Sequence, residues 1–468
     1  MLEPAYQADV VVVGAGVAGL SAAHRLTSAG VTTMVLEAAH GVGGRMATEK
    51  VDGFRLDRIG QLLSTAYPEL RLTPGLGGLV LRPFAPGVLL HGDGRHHRAG
   101  VQAGTRGARG ALHAVRALAS APRSSSAPRP PRRPVAVPGR QVSVPRSRSG
   151  APLGTAVDQA RLGAALTRLA GTPAERLLAR PELPAGEALA ARGLPARTID
   201  GFLRPLLAAL LCDPDLTTSS RCADLALRAF ASGRLCLPEG GAEALPELLA
   251  STLPTGTVHT GVRVTSVSTT SVTTAEHGEI RCRAVLVATG ARAAAELLPG
   301  LRVPDFHPVT VVHHTTDEPP GTGASLLLDA DLGGPVAHTA VVSRVDPSRA
   351  PAGRALVSST VLGQPPGDVD TAVRMHLARL YGVPTARWET LAVHHTAEAV
   401  PVMRPPHDLR RPVRLIAGLY VCGDHRDTST VQGALHSGHR ASAAILADLG
   451  AGRSMHVADP LPTVPRAA

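Results

Sequence analysis

The stretch "DVVVVGAGVAGL", Asp9 to Leu20, decides the fold. Four consecutive valines read as a buried strand. The apolar spacing of Val17, Leu20, Ala23 and Leu26 then predicts a helix over 17–29. Gly14, Gly16 and Gly19 form G-x-G-x-x-G at the junction. The first glycine permits a tight turn, the second lets backbone approach a pyrophosphate, and the third lets the helix pack on the strand. The helix N-terminus adds free N–H groups and positive potential for an anion. A second buried strand over 32–37 ends in Glu37, 18 residues beyond Gly19. A carboxylate there suits ribose hydroxyls and repels a 2′-phosphate. Short apolar strands flanking a helix predict an α/β fold with a parallel sheet covered on both faces.

Four residues after Glu37 comes "GVGGRMAT", Gly41 to Thr48. A glycine fingerprint followed by a Gly43-Gly44-Arg45 turn resembles the flavin amine oxidase and phytoene desaturase superfamily. Further phrases match in the same order: "LPEGGAEAL", "TGVRVTSV", "AVLVATG" and the C-terminal "GLYVCGDHRDTSTVQGALHSGHRAS". The resemblance covers 9–63 and most of 200–445 and implies FAD as cofactor. It implies an FAD-binding Rossmann-like domain of the GR2 type built from 1–85, 235–300 and 410–452. An inserted α+β substrate domain would take 86–234 and 301–409. It brings Gly43, Gly44 and Arg45 towards the FAD diphosphate, and the backbone near Val264 towards adenine. Asp424, after Gly423, would accept from the ribityl chain, and a helix beginning near Gly433 would aim N–H groups at the flavin pyrimidine edge. Such a helix end favours negative charge on the reduced flavin.

Composition sets limits on function. The 468 residues exceed one ordinary core, so two domains are expected. The formal charge is +11, yet the tract 123–149 alone holds seven arginines and no acid. This tract, within a low-complexity Pro/Ser/Arg segment over 121–152, reads as a solvated flexible loop. It lacks the interleaved aromatics on which bases stack, which argues against a nucleic-acid partner. Five scattered cysteines without Cys-x-x-Cys suit a reducing cytoplasm and no zinc site. The N-terminal residues carry no secretory pattern, and no apolar run is long enough to span a bilayer, so membrane contact is expected to be peripheral at most.

The middle of the chain is helical in texture over 156–233, where "RTIDGFLRPLLAALLC" is one of the clearest segments. Beyond 256 it becomes β-rich, with strands predicted at 308–316, 324–329, 336–343 and 354–362 and a helix in "DVDTAVRMHLARLYG". From 85 to 120 the pattern is weak. The segment "PLLAALLC" reads as a core helix in preference to a lipid mouth.

Several flavin amine oxidases place a lysine near flavin N5, and some sandwich the amine between aromatics. Here Lys50 is the sole lysine, just past the Gly-Gly-Arg turn, and Trp388, Tyr381 and Tyr420 are the only Trp or Tyr after Tyr67. These departures favour a desaturase-like or isomerase-like enzyme acting on a small hydrophobic substrate. Among His313, His314, His394, His395, His425 and His436, the catalytic acid–base candidate is His425, because it follows Asp424. Adjacent histidines on a strand face opposite sides, and no metal is expected. A nicotinamide dehydrogenase is a rival reading, against which the Gly-Gly-Arg turn and "YVCGD" speak. A flavin amine oxidase acting on an amine, and a partner-binding protein using the arginine tract, are the others.

Overall fold

The computed structural model describes residues 7–100 and 153–450. The arginine tract lies outside the described residues. At the centre is a six-stranded sheet in the order Val258–Thr260, Thr33–Glu37, Val10–Val13, Ala284–Val287, Leu419–Val421, Arg414–Ile416. The first five strands run parallel and the last is antiparallel.

Alternation along these strands explains why the valine run is buried on both sides. Val10, Val12, Val35, Leu286 and Tyr420 face a layer formed by the helices Val17–Ser28, Ala244–Ser251 and Val431–Leu449. Val11, Val13, Leu36, Val285 and Val287 face Val272 and Ile280 of a three-stranded antiparallel sheet, Val264–Val267, Ser271–Thr274 and Gly278–Arg281. Strands from three distant stretches of sequence therefore share one core.

A second, seven-stranded sheet has the order Glu389–Pro401, Phe306–Thr316, Ala355–Leu362, Val336–Val341, Leu327–Asp329, Val88–Gly92, Arg95–Ala99. One face packs on the helix Val369–Tyr381 and Trp388. The other, through Leu90, Leu328 and Leu356, packs on Phe202, Leu206 and Leu207 of a helical layer running from Ala156–Gly171 to Ser220–Ser232. "PLLAALLC" is core, as expected: Leu206, Leu207 and Leu211 are buried.

The weak region of the sequence holds the hairpin of the last two strands. Its polar strand Arg95–Ala99 is a sheet edge, mostly exposed, and gives no apolar alternation. The readable signal was Asp93-Gly94, whose φ values of 51° and 69° make the mirror-image turn that joins twisted strands. The helical stretch 156–233 is broken into shorter helices, with Pro173, Pro184 and Pro195 each as an N-cap.

Two glycines permit the closest approaches. A Cβ at Gly19 would lie 2.1 Å from the Gly14 carbonyl oxygen, and one at Gly438 would lie 2.3 Å from that of Ala18. The C-terminal helix thus rests directly on the backbone of the first helix. Gly438→Ala is expected to lower stability by about 3 kcal/mol, the scale of a core overpacking that forces backbone to move. A urea midpoint unchanged from wild type would contradict this packing.

Candidate functional site

The main cavity, about 790 Å³, runs along the C-terminal ends of the parallel strands. That is where open α/β sheets bind ligands. Its walls include Gly14, Gly16, Glu37, Gly43, Gly44, Arg45, Val264, Gly423 and Asp424. Gly19 and Gly433 act behind the wall.

The glycine turns shape one end. Gly14 has φ 107°, and a Cβ there would stand 3.0 Å from the Ala288 carbonyl oxygen. Gly16 is the N-cap of the helix Val17–Ser28, with no side-chain cap and no acid in the first turn. A Cβ on Gly16 would meet nothing within 4 Å, so the first-turn N–H groups face open space. The second turn docks on the first: the Gly43 N–H donates to the Ala15 carbonyl oxygen at 2.9 Å. Gly43 and Gly44 have φ 107° and 57°, which explains two glycines in succession. Open helix N–H groups, glycine backbone and one arginine fit the diphosphate of a dinucleotide.

Glu37 is held in place by backbone. One carboxylate oxygen accepts from the Ala15 N–H at 2.8 Å and the other from the Ala39 N–H at 2.9 Å. It therefore also braces the first glycine turn.

Arg45 and Asp424, given separate tasks from sequence, are joined. Arg45 donates to the Asp424 carboxylate at 2.6 Å and to the Ala399 carbonyl oxygen at 2.8 Å. The Asp424 side chain is nearly enclosed, at 6% exposure, against 32% for Arg45. Burial works against the charge on Arg45, but the neighbouring carboxylate outweighs it and holds the guanidinium above its ordinary range.

Two expectations need correction. The C-terminal helix begins at Val431, with Thr430 as N-cap, and the Gly433 N–H is consumed by the Thr430 hydroxyl at 3.2 Å. Thr430, Val431 and Ala434 line the cavity in place of Gly433. A Cβ on Gly433 would be 2.0 Å from the Thr428 carbonyl oxygen, so this glycine serves packing. His425 is the other. The tight turn Asp424–Arg426 folds its ring back beside the Gly423 Cα, and it is absent from the cavity wall. Burial pushes it down to about 4, opposed by Asp424 and assisted by nearby arginines.

The other histidines are engaged in the scaffold. His313 contacts the Ser358 hydroxyl and the Asp57 carbonyl oxygen, on the opposite side of its strand from His314, which meets Asp370. His394 meets Glu49, His395 Thr310, and His436 Asp427. Among the described residues, His91, Asp329 and Asp331 bring potential ligand atoms within 4.8 Å of one another. Asp329 there already accepts from the Asp331 and Gly333 N–H groups and faces His376.

A smaller cavity, about 30 Å³, shares Gln61, Thr430 and Val431 with the first. Ile59, Leu62, Ala209, Leu210, Cys212, His338, Thr360, Val400 and Ser429 belong to its wall. No wall residue is an acid, lysine or arginine. Gln61, His338 and Ser429 went unnoticed in the sequence because they come from three unconnected segments. Lys50 is remote from both cavities, on the hairpin strand Thr48–Val51, 60% exposed and paired with Glu243 at 3.0 Å. Trp388 and Tyr381 pack on each other beneath the second sheet.

The flavin containing amine oxidoreductase model matches residues 17–446, and the chain belongs to that family, whose members are FAD-dependent oxidoreductases. FAD is accordingly its cofactor. Putrescine oxidase of Kocuria rosea is 46% identical over 98 residues, 20% of each chain. The limonene dehydrogenase of Castellaniella defragrans is 35% identical over 100 residues, 19% of this chain and 18% of that one. The matched part is thus about a fifth of these relatives' length. A putative protoporphyrinogen oxidase from Exiguobacterium sp. 255-15 shares the fold over 96% of this chain and all of its own, with TM-score 0.64 and 16% identity. Among the described residues no helix is long and apolar enough to cross a membrane.

Replacing Asp424 by Asn, or Glu37 by Ala, is expected to weaken FAD retention about tenfold or more, the scale of a lost charge-assisted hydrogen bond. FAD-to-protein ratios after gel filtration measure it, and full retention in both variants would sink both roles. Stability should also depend on pH. Burial holds His313, His338 and His425 neutral, each lowered from 6.5 to about 4. The unfolded chain binds these protons first, so their contribution is complete above pH 6.5 and lost as pH falls towards 4. A melting temperature that stays level across that window would contradict their buried neutrality.

Proposed function

We propose that the protein is an FAD-dependent dehydrogenase or isomerase of a small, uncharged, mainly apolar molecule. The observation that carries this reading is the small cavity beside the main one, whose wall holds apolar side chains and neutral polar groups and no ionised one. A cationic amine entering it would lose water without gaining a counter-charge. The sole lysine lies elsewhere, and no aromatic pair flanks the cavity.

Bound FAD supplies hydride-accepting chemistry at its flavin ring. The chain's residues bind and orient. The N–H groups of the helix Val17–Ser28 and the Gly43-Gly44 turn would hold the diphosphate, Glu37 the adenosine ribose, and backbone at Val264 the adenine edge. Asp424, fixed by Arg45, would orient the ribityl chain. The end of the C-terminal helix at Thr430 and Val431 would lie against the reactive part of the cofactor and favour its reduced, negatively charged form. The buried leucines and valines of the small cavity keep water from the reacting carbon.

A reducing, cytoplasmic setting is part of the proposal, supported by five free cysteines. So are the absence of a nucleic-acid partner and at most peripheral membrane contact. The amine reading keeps one support, the Kocuria rosea putrescine oxidase match, which covers only 98 residues.

The purified protein should show a bound-flavin absorbance spectrum that changes on denaturation. Anaerobic mixing with limonene, a carotenoid precursor or a porphyrinogen should bleach the flavin; putrescine or benzylamine should not. Fast bleaching by an amine together with no response to the neutral compounds would reverse the assignment.

A further inference from the structure

We propose that His338 and Ser429 form a recognition niche for one uncharged oxygen, a carbonyl or hydroxyl, on an otherwise apolar substrate. The inference rests on the neutral-substrate reading above and adds to it a specific functional group and the two residues that select it.

Both side chains line the small cavity, and both are almost wholly buried, at 6% and 5% exposure. The Nδ1 atom of His338 and the hydroxyl oxygen of Ser429 are buried and have no hydrogen-bond partner. Burying such atoms unpaired costs stability, so native proteins rarely leave them so without a task for them.

Their surroundings make the exception sharper. On the same strand, the Thr339 hydroxyl is bonded to Ser359 and Tyr381. On the facing strand, Ser358 is bonded to His313. Beside Ser429, the hydroxyls of Thr428 and Thr430 bond to each other at 3.0 Å. Ser429 itself is fixed by its backbone N–H, 3.2 Å from the Met403 sulfur. The neighbouring polar side chains are satisfied by one another; these two are held in place and left over.

Size and chemistry limit what they can receive. The niche is about 30 Å³, near the volume share of one water in the liquid, so it admits one functional group. A neutral imidazole offers one donor and one acceptor nitrogen according to tautomer, and a hydroxyl offers both. Two donors suit the lone pairs of a carbonyl; a donor and an acceptor suit an alcohol. A carboxylate or ammonium would find no opposite charge in the wall. Gln61, Thr430 and Val431, common to both cavities, make the niche open towards the cofactor. Oxygen held there keeps the attached carbon skeleton beside the cofactor.

The test uses the FAD-loaded full chain and two probes of similar shape, cyclohexanone and methylcyclohexane, titrated against the flavin absorbance spectrum. Wild type should bind the ketone about tenfold more tightly, the worth of two modest hydrogen bonds. His338→Phe and Ser429→Ala should each bring that preference to about threefold or less with FAD content unchanged. Each removes an unsatisfied buried polar atom, so Ser429→Ala should melt at or slightly above the wild-type temperature. Equal binding of the two probes by wild type, no perturbation by cyclohexanone at its solubility limit, or an undiminished preference in both variants would overturn the niche. So would a clear fall in the melting temperature of Ser429→Ala, which would mark a structural role. Failure of the neutral-substrate reading is distinguished by turnover: bleaching by an amine overturns that reading, whereas the probe preference is measured without turnover.

Discussion

The contact between the Gly14 carbonyl and the Gly19 Cα is the constraint on which the rest depends. Because a Cβ at position 19 would fall 2.1 Å from that oxygen, the first helix can lie directly over the turn that launches it. This closeness aims the open N–H groups of the helix at the sheet's C-terminal edge. It also sets the height at which the C-terminal helix can rest, with Gly438 against the Ala18 carbonyl. Two helices more than four hundred residues apart at their starts then present their N-termini to one cavity. Helix dipoles and unpaired donors converge there without a single lysine.

A second constraint closes the cavity. Arg45 reaches both Asp424 and the Ala399 carbonyl, so the second glycine turn, the long edge strand of the second sheet and the C-terminal flavin segment meet at one side chain. An arginine suits this because its planar fork serves two acceptors at fixed angles. The pairing changes the meaning of two residues that resemblance had given separate contacts: the acid is positioned by the arginine before any ligand is considered. Glu37 repeats the pattern, since its carboxylate braces the Ala15 and Ala39 backbone. These acids serve the scaffold as well as the ligand.

Local periodicity carried most of the legible part. The valine strand, the glycine turn, Glu37 and the β-rich region beyond 256 follow from spacing that adjacent residues impose on one another, and the family's glycine turns added FAD. The hairpin Val88–Ala99 was hidden by its polar edge strand, and the helix start at Val431 was displaced by the Thr430 cap. His425 misled because proximity in sequence to Asp424 does not give proximity to the cavity once a tight turn reverses the chain.

The sequence by itself determined the nucleotide-binding unit, because its turns and strands are short-range devices in which each residue's conformation is fixed by its neighbours. It also determined that no second lysine is available for amine chemistry. Only the tertiary structure decided that Arg45 meets Asp424, that Lys50 points to solvent, and that Gln61, His338 and Ser429 surround one small space. Those contacts join segments separated by hundreds of residues, and burial and partnering exist only after the sheets have packed.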